Sequence, residues 1–381
     1  MSSSSGPLAG LKVVQLVSMA PAPFGCMVLA DLGADVIRVE RAGSSAGIAV
    51  PPGYFDRGQQ SIAVNLKDPR GVQLVLDLLA DADVLVEGFR PGVAERLGLG
   101  PGECLDRNPG LVYARLTGYG QEGTLAQAAG HDINYLAMSG ALSLFGHAGE
   151  RPVAPVNLLA DFAGGGFLMV IGILAALQER TRSGLGQVVD AAMVDGVALF
   201  STFIHAMSQN GLWRDGRGRN LLDSGAAFYD TYECADGEYV AVGALEARFY
   251  ATLLEKLGLA DAELPDPFDL DSADQLRAAL SEAFATKTRD EWGTIFDGVD
   301  ACVTPVLSIS EAERHPYAAS RDLFVEVDGK LIPAPAPRFS RTPAGVPEPA
   351  PEPGEHAELL LKGVGKSDAE IADLRAAGVI G

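Results

Sequence analysis

The chain is short of positive charge: 29 Lys and Arg stand against 50 Asp and Glu in 381 residues, a formal net charge of −21. Nucleic-acid surfaces need clustered cations to meet phosphates, so a general nucleic-acid-binding role is excluded. Cysteine is scarce too. Cys26, Cys104, Cys234 and Cys302 lie far apart and form no Cys-x-x-Cys or Cys/His cluster, which argues against a metal site and for a reducing, cytoplasmic setting. No apolar run reaches membrane-spanning length without interruption, so no membrane span is expected. The first six residues lack a signal-peptide pattern, and Val379-Ile380-Gly381 is not a peroxisomal address. The dinucleotide fingerprint is also missing. Ser18-Met19-Ala20-Pro21-Ala22-Pro23 follows the first strand without GxGxxG, which speaks against a nicotinamide or flavin cofactor.

What is present describes a folded protein of more than one core. Hydrophobic residues make up 48% and charged residues 21%, an ordinary globular balance, and 381 residues exceed what one core usually supports. The spacing predicts strands over 11–17, 35–39, 84–87 and 111–116, with helices over 23–32 and 70–80 between them. Strand and helix in alternation predict an α/β fold with an open parallel, Rossmann-like sheet. A long apolar segment follows over 162–178, then a strand over 187–192 and a helix over 193–209. Residues 211–224 read as a linker. Alternation on either side of Ala235-Asp236-Gly237 predicts a hairpin opening a smaller α+β domain, with helices over 246–257, 273–284 and 290–296. Eight prolines between 333 and 354 predict an extended connector to a charged helix over 367–377.

Charge is uneven along this layout. Residues 1–100 hold 8 Lys and Arg against 10 Asp and Glu, leaving 21 against 40 in the rest. An anionic ligand is therefore expected on the N-terminal part, at the carboxyl ends of its strands, where Arg38 and Gly88-Phe89-Arg90 fall.

Two stretches carry candidate chemistry. Gly130-His131-Asp132-Ile133-Asn134-Tyr135 and Asp161-Phe162-Ala163-Gly164-Gly165-Gly166 each set an ionisable group before a segment of helical spacing. They read as two halves of one acid/base site. On residue context alone both groups would serve equally well as helix caps. A helix starting near Asp161 would offer a backbone N–H at or near that residue to negative charge, and Gly164, Gly165 and Gly166 would let a substrate approach the backbone.

With these motifs the sequence resembles the α-methylacyl-CoA racemases, a branch of the class III CoA-transferase superfamily. Leu32-Gly33-Ala34-Asp35-Val36-Ile37-Arg38-Val39-Glu40, Asp83-Val84-Leu85-Val86-Glu87-Gly88-Phe89-Arg90-Pro91-Gly92, Leu159-Ala160-Asp161-Phe162 and Gly243-Ala244-Leu245-Glu246 carry the same resemblance. It implies an interlocked homodimer. Each subunit would have a large domain of residues 1–215, a small domain of 216–325, and a stretch of 326–381 returning to the large one. The substrate would be an acyl-CoA thioester, with CoA as part of the substrate and no separate cofactor.

The resemblance implies that His131 and Asp161 exchange the α-proton on opposite faces of the substrate carbon, with Glu246 orienting the imidazole. CoA-contacting positions carry over as Arg38, Val64, Asn65, Leu66, Lys67, Gly88, Phe89, Arg90, Arg96, Gly130, Asp132, Ile133, Asn134 and Tyr135. Arg and Lys would meet phosphates, and main-chain groups of 65–67 and 88–90 would hold adenine and pantetheine. The same Asp161 would also serve a CoA-transferase as its nucleophile.

Overall fold

The computed structural model describes residues 5–41 and 51–381, and the chain divides into two compact units. The first comprises Met1–Ser139, Val156–Phe200 and Tyr317–Gly381; the second comprises Gly140–Pro155 and Ser201–Pro316. The exchange between units therefore falls at 200/201 and 316/317, where the sequence suggests 215/216 and 325/326. Segment 140–155 was not expected in the second unit. Arg217 accounts for its placement, donating to the carbonyls of Ser143 (3.1 Å) and Glu150.

The first unit is built on β1 (Lys12–Leu16), α1 (Pro21–Asp31), β2 (Asp35–Arg41), β3 (Gln60–Val64), α2 (Pro69–Leu79), β4 (Val84–Glu87), α3 (Val93–Arg96), α4 (Pro101–Arg107), β5 (Val112–Thr117) and α5 (Asp132–Met138). A π-helix (Leu158–Phe167) then runs into α6 (Leu168–Ser183), followed by β6 (Val188–Ala192) and α7 (Met193–Phe200). All six strands are parallel, in the order β3-β2-β1-β4-β5-β6. This is the doubly wound arrangement: the order in which strands are added switches sides between β1 and β4, and a crevice opens beyond their carboxyl ends. Residues following those two strands meet there: a Cβ added to Gly88 would lie 2.3 Å from Ser18 Oγ.

The apolar segment is interrupted by Asp161, yet the helix it belongs to is long. The π-helix extends the apolar segment back to Leu158, and the resulting 26-residue helix, Leu158–Ser183, is long and apolar enough by length and composition to cross a bilayer. Its packing is that of a crossover helix on a sheet. The π-helical part contacts α1 and α7, and α6 contacts β5 and β6.

The second unit contains α8 (Thr202–Gln209), an antiparallel sheet in the order β7-β8-β9 (Tyr229–Glu233, Tyr239–Gly243, Val303–Pro305), and α9 (Ala247–Leu257), α10 (Ala273–Phe284), α11 (Arg289–Phe296) and α12 (Ile309–Ala312). Phe228, Tyr232, Phe284, Trp292 and Phe296 fill its core. The helix expected over 193–209 is two helices, broken at Ser201.

The chain re-enters the first unit through α13 (Pro316–Arg321) and the hairpin β10–β11 (Phe324–Val327, Lys330–Pro333), and 334–353 carries neither helix nor strand. Then α14 (Ala357–Gly363) and α15 (Asp368–Ala376) pack into the same core as β3. The last residues cover the sheet edge: Ile380 pairs antiparallel with Val64, and Gly381 N–H donates to the Ala63 carbonyl (3.0 Å). An edge strand with unpaired backbone groups is thereby closed.

Candidate active site

His131 and Asp161 are brought together by one carboxylate between them. His131 is the residue before α5, and its N–H donates to Asn134 Oδ1 (3.1 Å), which fixes the helix start. The next residue, Asp132, is 5% exposed, and its Oδ2 accepts from the N–H groups of both Ala160 (2.8 Å) and Asp161 (2.9 Å). The imidazole at 131 and the carboxyl at 161 are thus tied through the backbone of two helices. They also sense each other electrostatically. Burial holds the Asp161 carboxyl above its ordinary range; a hydrogen bond from Asn157 (3.2 Å) draws it down, the Asp132 charge raises it, and His131 lowers it.

Two expectations about this helix start are narrowed. Of the N–H groups at or near Asp161 expected to meet an oxyanion, those of Ala160 and Asp161 already donate to Asp132, because a buried carboxylate must recruit donors wherever the fold supplies them. Gly164, Gly165 and Gly166, expected to admit a substrate, are buried and bring helices into close contact. A Cβ at Gly166 would lie 2.6 Å from the Phe24 ring on α1, and one at Gly164 would lie 3.1 Å from the Met193 carbonyl on α7.

Tyr135 links the acid/base pair to the crevice. Its hydroxyl donates to the carbonyl of Gly130, and its ring stands edge-on to Tyr119 at 4.9 Å. Burial, with smaller contributions from Tyr119 and Asp161 and against the pull of Arg90, leaves the phenol pushed up to about 12, so the tyrosine lies within reach of both the pair and the 88–90 turn. Gly118 makes room: a Cβ there would sit 2.2 Å from the Tyr135 ring.

Lys67, Arg90 and Arg96 are exposed, as are Ile133, Asn134 and His131. Lys67 follows the end of β3, Arg90 follows β4 and Arg96 closes α3, so all three cations come from elements at or beyond strand ends. Arg38 differs. Its guanidinium faces Glu40 (3.3 Å) and Asp56 (3.4 Å), so a phosphate would compete with two carboxylates for it.

Val64 is fully buried in the core, which leaves its side chain no ligand to touch. The Asn65 N–H donates to the Val379 carbonyl (2.8 Å), and the Lys67 N–H donates to Asn65 Oδ1 (3.1 Å). Two main-chain donors expected for adenine or pantetheine are therefore used within the protein. Glu246 lies in the second unit, exposed at the residue before α9, with Cys302 within its electrostatic reach. Among the described residues no group of three or more His, Cys, Asp or Glu comes together as a metal site.

Sequence reasoning missed Asn157 and the reach of Asp132. Asn157 stands four residues before Asp161, a spacing that would have suggested the pairing. Asp132 acts 28 and 29 residues away, which no local pattern reports.

Residues 8–357 match CoA-transferase family III, and the chain belongs to that family. Over 377 residues it is 49% identical to the mouse α-methylacyl-CoA racemase, spanning 98% of this chain and 97% of that one. The human α-methylacyl-CoA racemase is 48% identical over the same spans. Among solved structures, a CaiB/BaiF family protein from Brucella suis superposes with a TM-score of 0.83 at 26% identity, covering 94% of this chain and 100% of that chain.

Proposed function

We propose that the protein interconverts the (2R) and (2S) forms of 2-methylacyl-CoA thioesters by moving one proton. One member of the pair, His131 or Asp161, takes the α-proton; the electron pair passes to the thioester oxygen as an enolate. The other member, in its acid form, returns a proton to the opposite face. Glu246 would orient the imidazole, and Lys67, Arg90 and Arg96 would meet CoA phosphates. No cofactor beyond the substrate's own CoA is needed.

The observation that carries this reading is the Asp132 carboxylate, which fixes a raised-pKa Asp161 relative to His131. A transferase nucleophile gains nothing from a second proton carrier. Transfer remains the alternative that the family itself favours, through an acyl anhydride on Asp161. Incubation with a 2-methylacyl-CoA of known configuration in heavy water decides between them. Deuterium at the α-carbon with loss of optical purity is expected; a mass-shifted Asp161 adduct without exchange would establish transfer instead.

The homodimer belongs to the same proposal. Phe167, Ile171, Leu185 and Phe200 of the first unit are 44%, 62%, 58% and 53% exposed, large apolar side chains that a partner surface would take out of water. A second copy would cover it. Sedimentation velocity is expected to give a dimer with no monomer at micromolar concentration, and a monomer throughout would refute this part.

A further inference from the structure

One buried ion pair has no part in the proton chemistry. Glu87, the last residue of β4, is fully buried, and Arg115 on the neighbouring β5 is 6% exposed. Arg115 Nε donates to Glu87 Oε1 (2.8 Å), while Glu87 Oε2 accepts the N–H of Phe89 (2.7 Å). The other end of the guanidinium meets Glu95 on α3, Nη1 to Oε1 at 2.9 Å and Nη2 to Oε2 at 3.3 Å. One arginine thus joins two central strands, the 88–90 turn and the helix that carries Arg96.

Stability does not explain this arrangement. Desolvating an arginine and a carboxylate costs about as much as their attraction returns, and an apolar pair of similar volume would serve a sheet interior equally well. Burial in fact drives the Glu87 carboxyl upward, against the pull of the Phe89 N–H and Arg115. What an apolar pair could not do is hold a backbone N–H two residues past a strand end and grip a short helix bidentately. Directional bonds of charged groups set geometry. The 88–90 turn borders the crevice between β1 and β4, and α3 follows that turn directly in the chain.

We propose that Glu87 and Arg115 are positioning residues for acyl-CoA: they set the 88–90 turn and α3 so that Arg90 and Arg96 are presented together to the anionic CoA moiety. This rests on the reading above that CoA binds along that turn.

The test uses free CoA as probe in isothermal titration, with thermal melting and steady-state kinetics on a 2-methylacyl-CoA. The double variant Glu87→Gln/Arg115→Met leaves no buried charge unpaired, since Glu95, which loses its arginine, is exposed to solvent, and it keeps an amide oxygen for the Phe89 N–H. It is expected to melt near the parent temperature, to bind CoA about tenfold more weakly or worse, and to raise KM in parallel while kcat changes less than about threefold. Glu95→Gln, altered at the more exposed end, should shift Kd and KM the same way by a smaller factor and serves if the double variant does not fold. Unchanged Kd and KM in a folded variant would overturn the inference. Arg90→Ala separates the two levels: if it weakens CoA binding and the network variants do not, only the positioning role fails. If Arg90→Ala also leaves CoA affinity intact, the assignment of the turn to CoA fails with it.

Discussion

His131→Ala and Asp161→Asn are each expected to slow α-proton exchange by about 10²–10⁴-fold while CoA affinity stays within about twofold. In the proposed mechanism the two groups act on opposite faces of one carbon, so losing either removes a half-reaction, whereas the proposed CoA contacts lie on the 88–90 turn and α3. Asp161→Asn carries a second, independent signature. Its carboxyl titrates above the ordinary aspartate value because burial disfavours the charged form. The contribution to folding is therefore fully present below the unfolded-state value and is lost as pH rises through the raised folded value. At neutral pH the native carboxylate is a burden on the fold. Asparagine keeps an oxygen for the Asn157 amide without ionising, so the variant should be at least as stable as the parent at pH 7, with any advantage vanishing in acid. Urea unfolding at both pH values measures this. A variant that lost stability along with exchange would mark Asp161 as structural, and normal exchange in either variant would remove that residue from the scheme.

Much of the first unit was legible because its strands are locally distinctive. The strand Val84–Glu87 and the helix Ala273–Phe284 fall where periodicity placed them, and the hairpin around Ala235-Asp236-Gly237 follows from its turn residues. What escaped was set by distant partners. β3 is a five-residue run whose pairing comes from β2 on one side and from residues 379–381 on the other. A short edge strand of this kind has little signal of its own. The candidate site divides the same way. His131 and Asp161 were visible through the family resemblance, and Asn134 capped its helix as a polar residue at that spacing should. The glycines after Asp161 were ambiguous because glycine serves both substrate approach and helix contact, and only coordinates tell which backbone lies opposite. Likewise nothing in the sequence could reveal that Asp132 had already claimed the Asp161 N–H.

Gly196→Ala is expected to cut exchange by about 10²-fold or more, by displacing the acid/base pair or by weakening the fold. Gly196 sits in α7, where an added Cβ would lie 2.0 Å from the Gly164 carbonyl oxygen and 2.6 Å from its carbon and Cα. Those are backbone atoms of the helix that carries Asp161, so no side-chain rotation can relieve the overlap. The two helices must separate by about an ångström, and α7 also packs against α5, which begins just after His131. Overpacking of this kind costs about 1–3 kcal/mol or more against a total stability of about 5–15 kcal/mol. Even a folded variant would shift a proton carrier by enough to cost about 10²-fold. Gly102→Ala supplies the contrast. It lies in α4 with nothing within 4 Å of the new methyl group, so the substitution should leave exchange unchanged and add about 0.5–1 kcal/mol. Melting temperature and deuterium exchange measured on both variants check the pair of outcomes. Parent-like values for Gly196→Ala would mean that α7 and the Asp161 helix do not approach backbone to backbone, and the argument that their contact sets the pair's geometry would fall with it.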